Sequence, residues 1–415
     1  MSQLSQLSFE QKFQNYADLT VKIGVGLQAG QRLMVRAPVE SAPLVRRIAA
    51  SAYQAGARLV DVQWSDDALT LARFQYAPRD SFEEFPAWRT EALLRMAQQG
   101  DALLSIHAAD PDLLKDQDPE LVALAQRVND IHMQPFRQYL MADKLNWSII
   151  SLPIASWAAK VFPTDPPETQ IARLWETIFK ICRADRVDPL AAWQNHTQHL
   201  AVRRDYLTAR QYVALKYRAP GVDLTLGLPE NHIWHSGQGQ TESGIPFIAN
   251  VPTEEVFTLP HKDKVNGLVS SSKPLSYSGV LIEDFSLTFV EGRVARVTAQ
   301  KGEATLKKLV EMDEGAARLG EVALVPHSSP ISQTGILFYN TLFDENASNH
   351  VALGRAYRFC LANGAAMSDE EFAAAGGNHS LAHVDFMIGS DQMDIDGLTR
   401  SGQAEPVMRA GEWAF

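Results

Sequence analysis

From Arg32 to about Pro153, short runs rich in apolar and β-branched residues (RLMVRA, RLVDVQW, ALLSI, WSIISLP) alternate with segments whose apolar residues recur at helical spacing. That alternation predicts an α/β layout, a parallel sheet with crossover helices. The segment SAPLVRRIAASAYQAGA has a Ser-Pro start and a Gly end, and Leu44, Val45, Ile48, Ala49 and Tyr53 are spaced for one buried face. Helical spacing continues from about Pro167 to Arg210. After about Gln211 the period changes to two, in runs such as VDLTLGL and VLIEDFSLTFVEGRVARVTA, the latter broken by a Glu-Gly turn. The second half is therefore expected to be a mainly antiparallel β (α+β) domain, interrupted by one helix in GEATLKKLVEMDEGAARLG. These patterns divide the chain into an N-terminal α/β domain, 1–210, and a C-terminal domain, 211–415.

A length of 415 residues supports two cores of ordinary size, so neither domain needs disulfide or metal staples to fold. The two cysteines, Cys182 and Cys360, form no CxxC pair, which argues against a thiolate zinc site and fits a reducing compartment. The first thirty residues lack a basic start followed by an apolar core, and no apolar run approaches membrane-spanning length. A cytoplasmic setting without membrane insertion is expected. A formal charge of −11, spread without long single-sign blocks, disfavours nucleic acid as a partner.

Several motifs bear on chemistry, each beside a plainer explanation. Gly24, Gly26 and Gly30 precede the strand RLMVRA, whereas a dinucleotide fingerprint follows a strand and opens a helix, so a turn accounts for them. His196 with His199, and His232 with His235, have metal-like spacing but no HExxH frame, and surface or structural roles suffice. Glu254 and Glu255 would point to opposite faces of a strand; alone, an exposed strand end explains them. Glu321 opens an otherwise apolar strand, where a solvated terminus is the plain account. His350 and Tyr357 fall in a Gly- and Asn-punctuated stretch that reads as a site-forming loop. His383 and Asp385, two apart on the strand HVDFMIG, share a face and could share a metal, or form a hydrogen-bonded pair without one.

Taken in order, NVPTEEVFTLPHKDKVNG, LGEVALVPHSSPIS, LFYNTLFDENASNHVALGRAY and HVDFMIG resemble the thermophilic metalloaminopeptidase family that includes the aminopeptidase T, aminopeptidase II and aminopeptidase S (PepS-like) enzymes. The resemblance implies that the C-terminal domain is catalytic. It implies two divalent metal ions (Zn, Co, Mn or Mg) held by Glu255, Glu321, His350, His383 and Asp385, with Tyr357 as a further ligand or an oxyanion donor. Glu321 is the candidate bridge and catalytic carboxylate, and Glu254 a supporting or acid–base residue. It further implies hydrolysis of peptides with a free N-terminus, and a homodimer. Two rivals use the same scaffold: a mononuclear iron ring-cleaving dioxygenase, which needs only two imidazoles and one carboxylate, and an inactive peptide-binding relative.

Overall fold

The computed structural model describes residues 7–277 and 280–415, which form two compact units. The first comprises Met1–His196 with Gln238–Thr253, and the second Thr197–Gly237 with Glu254–Phe415.

In the first unit the four expected runs are parallel strands, in the order Leu59–Ser65, Arg32–Pro38, Ala102–His107, Trp147–Ser151. The helix Ala42–Gln54 makes the predicted crossover and buries Leu44, Val45, Ile48, Ser51 and Ala52. Tyr53 departs from the expected face and is 51% exposed. Five positions beyond Ile48, at about 100° per residue, it has rotated away from the buried stripe, and its hydroxyl accepts the Val60 N–H instead. Gly26 and Gly30 take positive φ in the turn that enters the first strand. A Cβ on Gly26 would lie 2.0 Å from the Pro246 carbonyl oxygen, so both backbone shape and space demand glycine there.

The second unit contains an antiparallel eight-stranded sheet and an antiparallel five-stranded sheet. In the larger one, Ser286–Val290 and Arg293–Thr298 are joined by Glu291 and Gly292, both at positive φ, the backbone that a tight two-residue hairpin requires. The smaller sheet runs His383–Met387, His350–Gly354, Leu319–Leu324, Val256–Thr258, His235–Ser236. The predicted helical insert is present as Glu303–Val310.

Register gives the small sheet two unlike faces. Val256 and Leu324 are paired across strands, Val322 pairs Val351, which pairs Phe386, and Leu353 pairs Val384. All but Val384 are fully buried, and with Leu226, Val265, Val269, Leu287 and Phe289 of the large sheet they make one core. Burying each large apolar side chain contributes about 1.5–3 kcal/mol. The alternate positions, Phe257, Glu321, Ala323, His350, Ala352, His383 and Asp385, therefore lie on the opposite face.

One irregularity makes this possible. The register between Leu319–Leu324 and His350–Gly354 shifts at Gly320: Leu319 pairs Leu353, while Glu321 pairs Ala352. The bulged residue changes the parity of the strand, so Leu319 enters the core and Glu321, two residues later, faces away from it. A Cβ on Gly320 would stand 2.3 Å from the carbonyl oxygens of Gly354 and Arg355. We expect Gly320→Ala to destabilise the protein by about 1–3 kcal/mol, as overpacking does, and to weaken divalent-ion binding in the same protein. Urea unfolding and metal titration that match the parent would show that the bulge does not set the position of Glu321.

Candidate metal centre

Two groups of ligand atoms converge on the polar face of the small sheet. Glu255, Glu321 and His350 form one, and Glu321, His383 and Asp385 the other, with the atoms of each group within 4.8 Å of one another. Glu321 belongs to both. Its Oε1 lies 3.6 Å from His350 Nε2 and its Oε2 lies 3.7 Å from His383 Nε2, so the carboxylate turns one oxygen to each group. Glu255 Oε2 is 3.1 Å from His350 Nε2, and Asp385 Oδ1 is 3.7 Å from His383 Nε2.

The ring orientations are set from outside the cluster. His350 Nδ1 is 3.1 Å from the Ser348 carbonyl and His383 Nδ1 is 2.8 Å from that of Arg355. Donating Nδ1–H to a carbonyl aims each Nε2 at the cluster, the arrangement usual for metal-binding imidazoles. Asn346, fully buried, accepts the Glu254 N–H at 2.7 Å and donates to the Leu342 carbonyl, which ties the Glu254–Glu255 segment to the chain that leads into His350.

Among the described residues no lysine or arginine makes an ion pair with Glu255, Glu321 or Asp385, although the Arg355 charge reaches His383 and Tyr357 at the edge of the centre. Burial raises the Glu321 carboxyl above its usual range, the Asp385 and Glu255 charges add to this, and His350 and His383 oppose it. Burial alone would depress both imidazoles. Hydrogen bonds to Glu255 and Glu321 instead hold His350 well above its usual range, and the Asp385 and Glu321 charges raise His383. Asp385 Oδ1 is buried with no hydrogen-bond donor. Buried acceptors without donors, together with imidazole nitrogens turned towards carboxylates, are what a divalent cation satisfies. With oxygen and nitrogen donors and no thiolate, the set suits zinc, cobalt, manganese or magnesium.

Glu254 is buried beside Glu255 but lies in neither ligand group. The Tyr357 hydroxyl is 3.4 Å from His383 Nε2 and the rings are 4.8 Å apart. Burial first, then the Glu321 and Asp385 charges, push its phenol well above the usual range, leaving an O–H donor. His350, expected in a loop, instead begins a strand. Of the other histidines, His196 is 2.8 Å from the Thr253 carbonyl and His232 packs at 1% exposure with Nδ1 against the Pro229 carbonyl. These are structural contacts.

Sequence reasoning passed over Glu345. Burial raises its carboxyl well above the usual range, and the charges of Asp385, Glu255 and Glu321 act in the same direction, which puts it at the cluster. It lies in a short 3-10 turn, Glu345–Ala347, in a DEN triplet that looks like an ordinary polar turn. The signal available was its position five residues before His350, on the same ordered motif.

Residues 9–413 match the family model described as thermophilic metalloprotease (M29). Aminopeptidase 2 of Geobacillus stearothermophilus is 51% identical over 98% of both chains, and aminopeptidase AmpS of Bacillus subtilis is 49% identical over 98% of this chain and all of its own length. Among solved structures, wild-type AmpT from Thermus thermophilus superposes with a TM-score of 0.93 at 41% identity, over 98% of this chain and 100% of that one.

The adjacent glutamates can be told apart by substitution. We expect Glu255→Gln to remove one ion from the equilibrium stoichiometry measured by calorimetric titration, and Glu254→Gln to cost no more than the roughly 10–100-fold in affinity typical of an outer-shell partner. The reverse order would exchange their roles.

Proposed function

The chain belongs to the thermophilic metalloprotease family M29, and from that premise we propose that it is an aminopeptidase that hydrolyses the first peptide bond of unblocked peptides with two divalent ions. The observation that carries the two-ion count is Glu321, whose two oxygens face His350 and His383 separately. A carboxylate can bridge a pair of ions in this way, whereas a neutral imidazole cannot. The charge count agrees: the ligand carboxylates Glu255, Glu321 and Asp385 carry three negative charges when ionised, more than one divalent cation neutralises.

Ions held here would acidify water towards neutral pH and neutralise charge on the scissile carbonyl oxygen. The remaining roles fall to the protein. Glu345, at the cluster but outside both ligand groups, is the carboxylate available to take a proton from the attacking water and return it to the departing amine. Tyr357, kept protonated, can donate its O–H to the developing oxyanion. Holding the free α-amine at the same pocket floor fixes the first residue beside the reacting water, and acetylation would remove the amine's lone pair and add bulk there.

The mononuclear iron alternative leaves most of these carboxylates without a counter-charge, and burial of unpaired carboxylates is expensive. The helices of the described residues are all too short or too polar to cross a membrane. A cytoplasmic setting fits two buried cysteines, Cys182 and Cys360, that are not joined in disulfides. The homodimer belongs to this proposal through the family resemblance alone.

Release of N-terminal residues from unblocked peptides should be lost on chelation and restored by added divalent ion, and N-acetylated peptides should resist cleavage throughout. Equal rates on blocked and unblocked peptides would refute the mechanism. Glu321→Ala should lose double occupancy and turnover together; a variant that keeps its activity on an aminoacyl p-nitroanilide would remove Glu321 from the bridge.

A further inference from the structure

Aromatic rings continue from the metal centre along the same face of the small sheet. Backbone alternation puts Glu255 and Phe257 on one side, and Phe257 has His235 and Ala323 as its cross-strand partners. The Tyr357 ring, beside His383, stacks on Phe359 with centroids 5.2 Å apart and planes 10° from parallel. Phe257 meets both edge-on, at 6.3 Å and 6.2 Å. His235 closes the far end, edge-on to Phe359 at 4.8 Å. Four rings thus make a wall that begins at His383 and Glu255.

The rings rest on a small core of Leu259, Ala356, Cys360, Leu361 and Phe372, but are not sealed within it. Phe257, Tyr357, Phe359 and His235 are each partly exposed, whereas Val256, on the other face of the same strand, is fully buried. His235 donates Nε2–H to the Phe359 carbonyl at 2.9 Å, and burial lowers its pKa, so it contributes a neutral ring. Arg204, whose charge reaches His235, is paired with Asp205. Arg358, between the stacked rings in sequence, turns away to cover Phe372 and to donate to the Met367 carbonyl. Between Phe257 and His350 the sheet face carries only Ala323, so the rings follow the metal ligands with one small, buried residue between them.

We propose that Phe257 and Phe359, with His235 at the far end, receive the side chain of the substrate's first residue and select aromatic and large apolar residues over small and acidic ones. This rests on the aminopeptidase function above. Ring edges and faces offer an incoming aromatic side chain the edge-to-face contacts it prefers. The Arg355 charge reaches Tyr357 and His383 at the metal end of the wall, but an acidic side chain laid on Phe257 and Phe359 would meet neutral rings and lie next to the carboxylates of the metal centre. Because the contact is made in both ground and transition states, it should appear in kcat/KM.

The test compares Phe257→Ala and Phe359→Ala with the parent, using the p-nitroanilides of Phe, Leu and Ala, with metal content and melting temperature measured for each protein. The Phe-to-Ala ratio of kcat/KM is expected to fall about 10–100-fold in both variants, the range that pocket contacts supply. If either fails to fold, Phe257→Leu and Phe359→Leu carry the test: the Phe-to-Ala ratio should fall while the Leu-to-Ala ratio holds. An unchanged Phe-to-Ala ratio overturns the proposal, as does equal loss on all three substrates, which is what a structural role produces. A parent that cleaves unblocked anilides with no preference refutes the wall alone. A metal-loaded parent that cleaves none refutes the aminopeptidase function, and the wall falls with it.

Discussion

Carboxylates crowded into a buried pocket repel one another and resist desolvation, and the C-terminal unit is built around holding Glu255, Glu321, Glu345 and Asp385 together despite this. No lysine or arginine pairs with the three ligand carboxylates among the described residues. In the protein alone, the compensating charge falls to His350 and His383, both drawn towards their protonated forms. Divalent ions replace those protons, so binding them releases protons and adds to the stability of the folded state.

What opposes the repulsion mechanically is the other face of the sheet. Val322, Leu324, Val351, Leu353 and Phe386 anchor three adjacent strands in the core shared with the eight-stranded sheet. Each ligand on these strands is flanked by a buried apolar neighbour: His350 by Val351, Asp385 by Phe386, Glu321 by Val322. Turning a ligand out of the pocket would require rotating that neighbour out of the core. Rigid strands position functional groups with less loss of entropy than loops do, and the Asn346 contact extends this control to Glu254 and Glu255, which precede their strand.

This arrangement also explains what could be seen in the sequence. The parallel strands of the first unit and the hairpin at Glu291–Gly292 followed directly from period and turn chemistry. His383 and Asp385 were legible because their strand is regular, so that spacing alone puts both side chains on one face. Glu321 was harder, since its plain explanation as a solvated strand end ignores the bulge at Gly320. Parity before and after a bulge differs, and a single sequence does not mark where the extra residue falls. His350 looked like part of a loop because the asparagines before it suggest a turn; the structure uses them as buried hydrogen-bonding groups that carry the chain into a strand. Glu345 had no periodicity to betray it, because a 3-10 turn of three residues is too short to have a face.

The division of labour across the polar face follows from the same constraint. Near Glu321 the face carries charged and imidazole side chains separated only by the small Ala323 and Ala352, which keep the ligands close without filling the space between them. Farther across the same sheet, on the strands of Phe257 and His235, no ligand is required, and neutral rings occupy the face. Low polarity beside the cluster has an electrostatic consequence: rings exclude water from one flank and lower the local dielectric, which strengthens every charge interaction within the cluster. The Tyr357 ring stands at the boundary, with its hydroxyl at His383 and its face on Phe359. It serves the polar centre with one end and the apolar wall with the other, so a change that unstacks Phe359 acts on the metal centre through Tyr357 as well as on the wall itself.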